Sequence, residues 1–145
     1  MLSPEVDLIL VFKHMFNHLI GEGVGLRQVT DVAVLIRAYA PTLNISALRE
    51  HLQNIGYLKA FDAMVALVGK YYNVSWDAYG DYLSSKDFRM ADMLMADIMK
   101  NGNFGAFRTI CWTPSEIKKF TEELNSYMAG QGRTAVYQLL CAVFL

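Results

Sequence analysis

The sequence has few cysteines, and their spacing excludes the usual cysteine sites. Only two occur in 145 residues, Cys111 and Cys141, and both lie among apolar neighbours. They form neither a C-x-x-C pair nor the regular multi-cysteine pattern of a disulfide scaffold or zinc site. We therefore expect two buried free thiols in a cytosolic protein.

The sequence also has no excess of either charge and no long apolar run. Thirteen basic and fourteen acidic residues give a formal net charge of -1, so the charge does not support binding to nucleic acid or to an anionic membrane. The first residues lack the basic stretch and cleavage site of a signal peptide. The longest apolar stretch, within Thr134 to Leu145, is shorter than the ~20 residues that span a bilayer. We expect a cytoplasmic chain without a membrane partner.

Apolar and aromatic residues are abundant instead. Hydrophobic residues make up 54% of the chain, with eight Tyr, eight Phe and eight Met. A chain of this length can bury one core and is too short for two ordinary domains. We expect a single helical domain over residues 1–145, with some apolar surface left for a partner or for a homo-oligomer.

The positions of caps and apolar residues predict helices along the whole chain. Ser3-Pro4-Glu5 is typical of a helix start, and an apolar stripe from Leu8 to Leu19 extends that helix to about Ile20. A second helix, from Leu26 towards Pro41, is apolar on most sides, which predicts a central position. Further helices are predicted after Asn44, over 57–72, within 73–85, over 86–100, after Thr113-Pro114-Ser115-Glu116 and from Arg133. No strand pattern is present, so the prediction is an all-α, single multi-helix bundle of about seven helices.

Three glycines, Gly21, Gly23 and Gly25, separate the first two predicted helices. Exposed N–H groups at a helix start can hold phosphate. This segment, however, follows a helix and lacks the spacing and the Lys-Ser/Thr ending of nucleotide loops. It is more typical of a tight turn between helices, with Gly21 as the left-handed residue that ends the first helix.

Two pairs of polar residues flank this turn. His14 and His18 are four apart, as in zinc-binding helices, but no third ligand is evident and no metal site is predicted. Arg27 and Asp31 are also four apart and can pair along the second helix. Asp31 then either only stabilises that helix, or holds Arg27 towards a phosphate or a neighbouring domain's carboxylate. No nucleophile motif is present.

Two stretches carry a family resemblance. The run HMFNHLIGEGVGLRQVTDVAVLIRAY, His14 to Tyr39, resembles the hallmark stretch of a bacterial family of uncharacterised nucleotidyltransferases. The run DIMKNGNFG, Asp97 to Gly105, is similar to a second recurrent element of that family, in the same order and at the same distance. The resemblance covers most of residues 3–105.

The resemblance implies where the chemistry lies. In that family, transfer is attributed to an N-terminal α/β part with a Gly-Ser turn followed by Asp-x-Asp, and neither occurs in this sequence. It therefore implies that this chain is a helical C-terminal portion without catalytic residues or cofactor. A divalent metal such as Mg²⁺ is expected only in the catalytic part, the partner of this chain in cis or in trans.

The matching stretches contain the candidate contact residues and the turn residues. The candidate substrate or domain contacts are His18, Arg27 and Asp31. The turn glycines are Gly21, Gly23, Gly25, Gly102 and Gly105. Two alternatives remain open: a non-enzymatic interaction module or homo-oligomer, and an independent helical enzyme acting on RNA or through a metal.

Overall fold

The described residues form six helices and no strand, so the all-α prediction is confirmed for this part of the chain. A computed structural model describes residues 2–21 and 23–101 and, farther along, Ser115, Lys119, Glu122, Glu123, Ser126 and Tyr127. The helices are α1 (Pro4–Gly21), α2 (Leu26–Tyr39), α3 (Ile45–Asn54), α4 (Leu58–Tyr71), α5 (Asp77–Gly80) and α6 (Ser85–Asn101). None of them is both long and apolar enough to cross a bilayer.

Helix α1 begins as predicted, but it ends differently. The Ser3 carbonyl accepts the N–H of Asp7 at 2.9 Å, as expected of a residue that precedes a helix. Gly21 is the last helical residue, and Gly23, with φ of 85°, takes the left-handed conformation. The Gly23 N–H donates to the carbonyl of His18 at 2.7 Å, satisfying a carbonyl near the helix end. The prediction that Gly21 supplies the left-handed residue was therefore wrong by two positions.

Helices α1 and α2 pack against each other as an antiparallel hairpin. The Tyr39 hydroxyl, at the end of α2, donates to Asp7 Oδ2 near the start of α1 at 2.8 Å. On α2 only one side is buried, and Val34 on the other side is 58% exposed. The predicted central position of this helix was therefore wrong. The apolar residues Leu26 and Val34 of α2 are exposed to solvent.

The central helix is α4. All nine of its residues from Ala60 to Val68 are buried, and it packs most extensively against α6 and also contacts α3. Its two ends also bind the hairpin: the Tyr57 hydroxyl donates to Asn17 Oδ1 at 2.9 Å, and the Tyr72 hydroxyl donates to the Leu26 carbonyl at 2.9 Å. The middle of α4 is therefore covered on all sides, and other helices pack around it.

The shorter elements follow local signals in the sequence. The Asn44 side chain accepts the N–H of Ala47 at 3.0 Å and caps α3, as predicted. Gly56, with φ of 75°, follows that helix. The segment predicted as a short helix within 73–85 contains the single turn α5.

Six described residues between 115 and 127 are helical, within the helix predicted after Thr113. Other predicted features lie outside the described residues: Gly102, Gly105, Cys111, Cys141 and the helix from Arg133. The structure therefore gives six helices over 4–101 where about seven were predicted for the whole chain.

Two glycine substitutions should change stability in opposite directions. Gly56→Ala places a Cβ on a left-handed residue and should lower the free energy of unfolding by about 1 to 2 kcal/mol. Gly69→Ala, at an exposed position near the end of helix α4, brings its Cβ no closer than 3.8 Å to the Val74 carbonyl oxygen. It should raise that free energy by about 0.5 to 1 kcal/mol. Urea unfolding of both variants measures the difference, and destabilisation by Gly69→Ala would contradict this account of α4.

Candidate functional site

The hairpin of α1 and α2 encloses a groove of about 330 Å³, called here the hairpin groove. Three of the polar residues that the sequence singled out, His14, His18 and Asp31, line it together. The remaining lining residues are Val11, Met15, Gly23, Val24 and Gln28. The fold therefore brings the histidine pair and Asp31 to one cavity, although they belong to different helices.

The two histidines contact each other across one turn of α1. Their ring centroids lie 4.5 Å apart with an interplanar angle of 75°, as the i, i+4 spacing allows. His14 is exposed and His18 is half-buried. Within the described part of the chain, no three His, Cys, Asp or Glu side chains are grouped so that they could hold a metal ion. The groove thus presents imidazole and carboxylate groups for hydrogen bonding.

Arg27 does not line this groove, whereas Asp31 does. Both Arg27 and Asp31 are exposed on α2, but among the described residues no ion pair joins them. The predicted ion pair between Arg27 and Asp31 is therefore absent from the structure.

The start of α2 is shaped by its glycines and by Gln28. The Gln28 Oε1 accepts the N–H of Gly25 at 2.8 Å, which satisfies one of the amides that a helix start leaves unpaired. Gly25 has φ of -88° and ψ of 169°, an extended conformation open to any residue. Of Gly23 and Gly25, only Gly23, with its positive φ, needs to be glycine for its backbone conformation.

A second polar group, called here the buried ionic cluster, joins α4 to α3, α5 and α6. It consists of Arg49, Lys59, Asp62, Tyr79, Asp87 and Tyr127. Asp62, fully buried in α4, accepts hydrogen bonds through Oδ1 from Arg49 at 2.6 Å and from the Tyr79 hydroxyl at 2.7 Å. Its other oxygen, Oδ2, accepts no hydrogen bond from a described residue and lies 3.8 Å from Lys59 Nζ.

Asp87, also fully buried, lies at the start of α6. Its Oδ2 accepts the N–H of Ser84 at 2.7 Å and the hydroxyl of Ser84 at 2.9 Å, so it caps its own helix. Its Oδ1 lies 2.6 Å from the Tyr127 hydroxyl and 3.9 Å from Lys59 Nζ. Lys59 thus lies between two buried carboxylates, and Tyr127 joins the chain beyond α6 to this centre.

Burial determines how these groups ionise. Removal from water raises the pKa of Asp62, an effect only partly opposed by the hydrogen bonds from Arg49 and Tyr79. Burial, followed by the nearby Asp62 carboxylate, raises the pKa of Tyr79. Burial and the hydrogen bond to Asp87 likewise raise the pKa of Tyr127. Both phenols therefore stay protonated and act as donors.

Reasoning from the sequence missed the buried ionic cluster. One local signal was available: Ser84-Ser85-Lys86-Asp87 has the Ser-x-x-Asp order of a capping box. Nothing local indicates the partner of Asp62, because Arg49 lies 13 residues before it and Tyr79 lies 17 residues after it. An isolated aspartate in the apolar run of α4 was the only other sign.

Removing Arg49 should destabilise the protein strongly. Arg49→Met leaves the buried Asp62 carboxylate without its closest cation, which should cost about 3 kcal/mol. Asp62→Asn in the same background should recover a large part of this loss, because no charge then remains to be compensated. Urea unfolding at neutral pH of the wild type, both single variants and the double variant tests the coupling. A double variant as unstable as the sum of the singles would show that the two residues act independently.

The stability of Asp62→Asn relative to wild type should rise with pH. The folded-state pKa of Asp62 is raised above its unfolded value, so the folded protein binds more protons between the two values. The contribution of Asp62 to stability is therefore fully present below the unfolded pKa and is lost as pH rises through the folded one. Unfolding free energies measured from about pH 3 to about pH 8 test this.

Asp92→Asn is the matched control and should show the opposite sign. Hydrogen bonds from Lys70 and Tyr71 lower the pKa of Asp92. Its contribution is therefore present above the unfolded pKa and lost as pH falls. Parallel pH curves for Asp62→Asn and wild type would contradict the assignment for Asp62.

Comparison with known proteins identifies the family. No curated protein and no solved structure matches the chain. A family model described as an uncharacterised nucleotidyltransferase matches residues 1–73, which is just over half of the 145 residues and includes α1 to α4 with the whole hairpin groove. The chain therefore belongs to this family of uncharacterised nucleotidyltransferases.

Proposed function

We propose that this chain is the helical accessory part of a nucleotidyltransferase, which braces a separate catalytic part or helps to enclose its substrate. The observation that carries the proposal is the position of the hairpin groove within the family-matched residues 1–73. The resemblance assigns transfer to an α/β part with a Gly-Ser turn and an Asp-x-Asp pair, and this sequence contains neither. In this proposal the divalent metal, such as Mg²⁺, is bound by that catalytic part.

The hairpin groove has the chemistry to contact a polar substrate. His14 and His18 can each donate or accept a hydrogen bond, and Asp31 adds an acceptor on the facing helix. Val11, Met15 and Val24 provide an apolar wall to the same cavity. A few polar groups on an apolar wall are typical of sites that orient a small ligand. Arg27, exposed beside the groove and without an ion-pair partner among the described residues, is available to a carboxylate of the catalytic part.

The exposed apolar residues of the hairpin favour a second candidate function, association with another copy of this chain. Leu10 on α1 is 50% exposed, and Leu26 and Val34 on α2 are 45% and 58% exposed. Large apolar side chains at the surface are a common feature of association sites. Size-exclusion chromatography with light scattering separates the two candidates, because a monomer at all concentrations excludes the homo-oligomer.

A transfer assay tests the accessory role. Purified chain is incubated with Mg²⁺ and labelled nucleoside triphosphates, alone and with an α/β protein that carries the Gly-Ser and Asp-x-Asp elements and is encoded upstream or beside it. We expect transfer only in the combined sample. Transfer by this chain alone, or the absence of any such coding region, would overturn the proposal.

Substitutions in the groove should lower transfer without unfolding the chain. In the combined assay, His18→Ala and Asp31→Asn should each lower kcat/KM about tenfold, a loss of about 1.4 kcal/mol in transition-state stabilisation. His51→Ala and Asp81→Asn are matched controls, since both side chains are exposed and lie outside the groove. Equal losses in the groove variants and the controls would remove the groove from the proposed function.

A further inference from the structure

A second cavity, of about 570 Å³, lies between α6 and the described residues that follow it, and we call it the basic cavity. Its lining residues are Lys59, Lys86, Arg89, Met90, Met93, Glu123, Ser126 and Tyr127. Three of them are cations and one is a carboxylate. Its volume falls within the range of roughly 300 to 1,000 Å³ that is usual for small-molecule sites. The whole chain carries a net charge of -1, so this concentration of positive charge is local.

Two of the cations pair with no carboxylate among the described residues. Lys86 and Arg89 lie three residues apart on the first turns of α6, both exposed, and neither forms an ion pair or hydrogen bond with a described residue. Lys70, in contrast, is a surface cation that pairs with Asp92 at 2.7 Å. Like charges that converge on one cavity repel each other, and an anion bound there relieves that repulsion.

The third cation, Lys59, lies against two buried carboxylates. Lys59 Nζ lies 3.8 Å from Asp62 Oδ2 and 3.9 Å from Asp87 Oδ1, two fully buried oxygen atoms. Together with Arg49, it brings the formal charge of the buried ionic cluster to zero. The ammonium group is therefore fixed at the cavity wall. A group that is already ordered loses less conformational entropy when a ligand binds.

The remaining lining residues can contact the uncharged parts and the oxygen atoms of an anionic ligand. The side chains of Met90 and Met93 lie on α6 beside the cations, and methionine adapts to ligand groups of different shape. Ser126 provides a hydroxyl that can donate to an oxyanion. Glu123 is the carboxylate among the described lining residues. Because Lys59 is already compensated by Asp62 and Asp87, Lys86, Arg89 and Glu123 together leave a formal charge of +1 at the wall.

We propose that the basic cavity binds a small molecule with two or more phosphate groups, held by Lys86 and Arg89 beside the fixed ammonium of Lys59. Arg pairs with phosphate through two parallel hydrogen bonds, and Lys acts as a point charge. This site is separate from the hairpin groove and does not depend on the proposed accessory function. It would exist whether or not a catalytic part is present.

Calorimetric titration of the full chain tests the site. The ligands are ATP and tripolyphosphate, which share the phosphate chemistry, with inorganic phosphate and adenosine as comparators. We expect ATP and tripolyphosphate to bind, inorganic phosphate to bind more weakly, and adenosine not to bind. Affinity should fall as salt concentration rises, because the contacts are ionic. Tighter binding of ATP than of tripolyphosphate identifies a nucleotide as the source of the phosphates, and equal binding identifies a free polyphosphate.

A charge-matched pair of double variants decides where the anion binds. Lys86→Gln with Arg89→Gln removes two charges from the basic cavity and should weaken binding at least about tenfold. Arg37→Gln with Lys100→Gln removes two exposed charges that lie outside the basic cavity and should leave the affinity within about twofold. All four side chains are exposed, and circular dichroism checks that both proteins keep their helices.

Three results would overturn the proposal. They are the absence of binding by both ATP and tripolyphosphate, the same loss of affinity in both double variants, and binding of adenosine as tight as that of ATP. The second would show attraction to overall charge, and the third would show an apolar site without phosphate recognition.

Discussion

Buried carboxylates need compensating charges, and this requirement determines how the helices around α4 are arranged. An ion without a partner in the interior costs several kcal/mol even after the surroundings relax. Asp62 lies in the middle of the most buried helix, so Arg49 from α3 and the Tyr79 hydroxyl from α5 must reach it. These hydrogen bonds add directional constraints to the apolar packing of α4.

The same requirement links the two carboxylates to each other. Lys59, one turn before Asp62 on α4, lies within 4 Å of both Asp62 and Asp87, so its single positive charge serves α4 and α6 together. Asp87 also caps α6 through Ser84. Because one side chain both starts a helix and takes part in the ionic cluster, the start of α6 is determined by local and long-range interactions at once.

Much of the helical framework could be predicted from the sequence because its signals are local. Ser3, Asn44 and Pro41 mark helix ends through hydrogen bonds or steric limits that act within a few residues. The central position of α4 could not be predicted in this way, because α2 has a comparable apolar run. The structure leaves Val34 of α2 exposed and covers α4 on all sides, a difference that depends on long-range packing.

The candidate site was predictable to a similar extent. Helical spacing correctly placed His14 and His18 together, and the short turn brought Asp31 to the same groove. Spacing also allowed Arg27 to pair with Asp31, but an exposed pair gains little in water and the two remain apart. Asp62 and its partners were missed because their contacts join residues from three different helices.

The position of Lys59 and Asp62 has a consequence for how members of this family can diverge. The family match ends at residue 73, close to the end of α4, yet the charges of α4 are compensated partly by Asp87 and Tyr79 beyond that limit. The family-matched stretch therefore ends before some of the residues that contact the charged groups of α4. We expect related sequences that lose the acidic residue at position 62 to lose the arginine at position 49 as well, so that these two positions vary together.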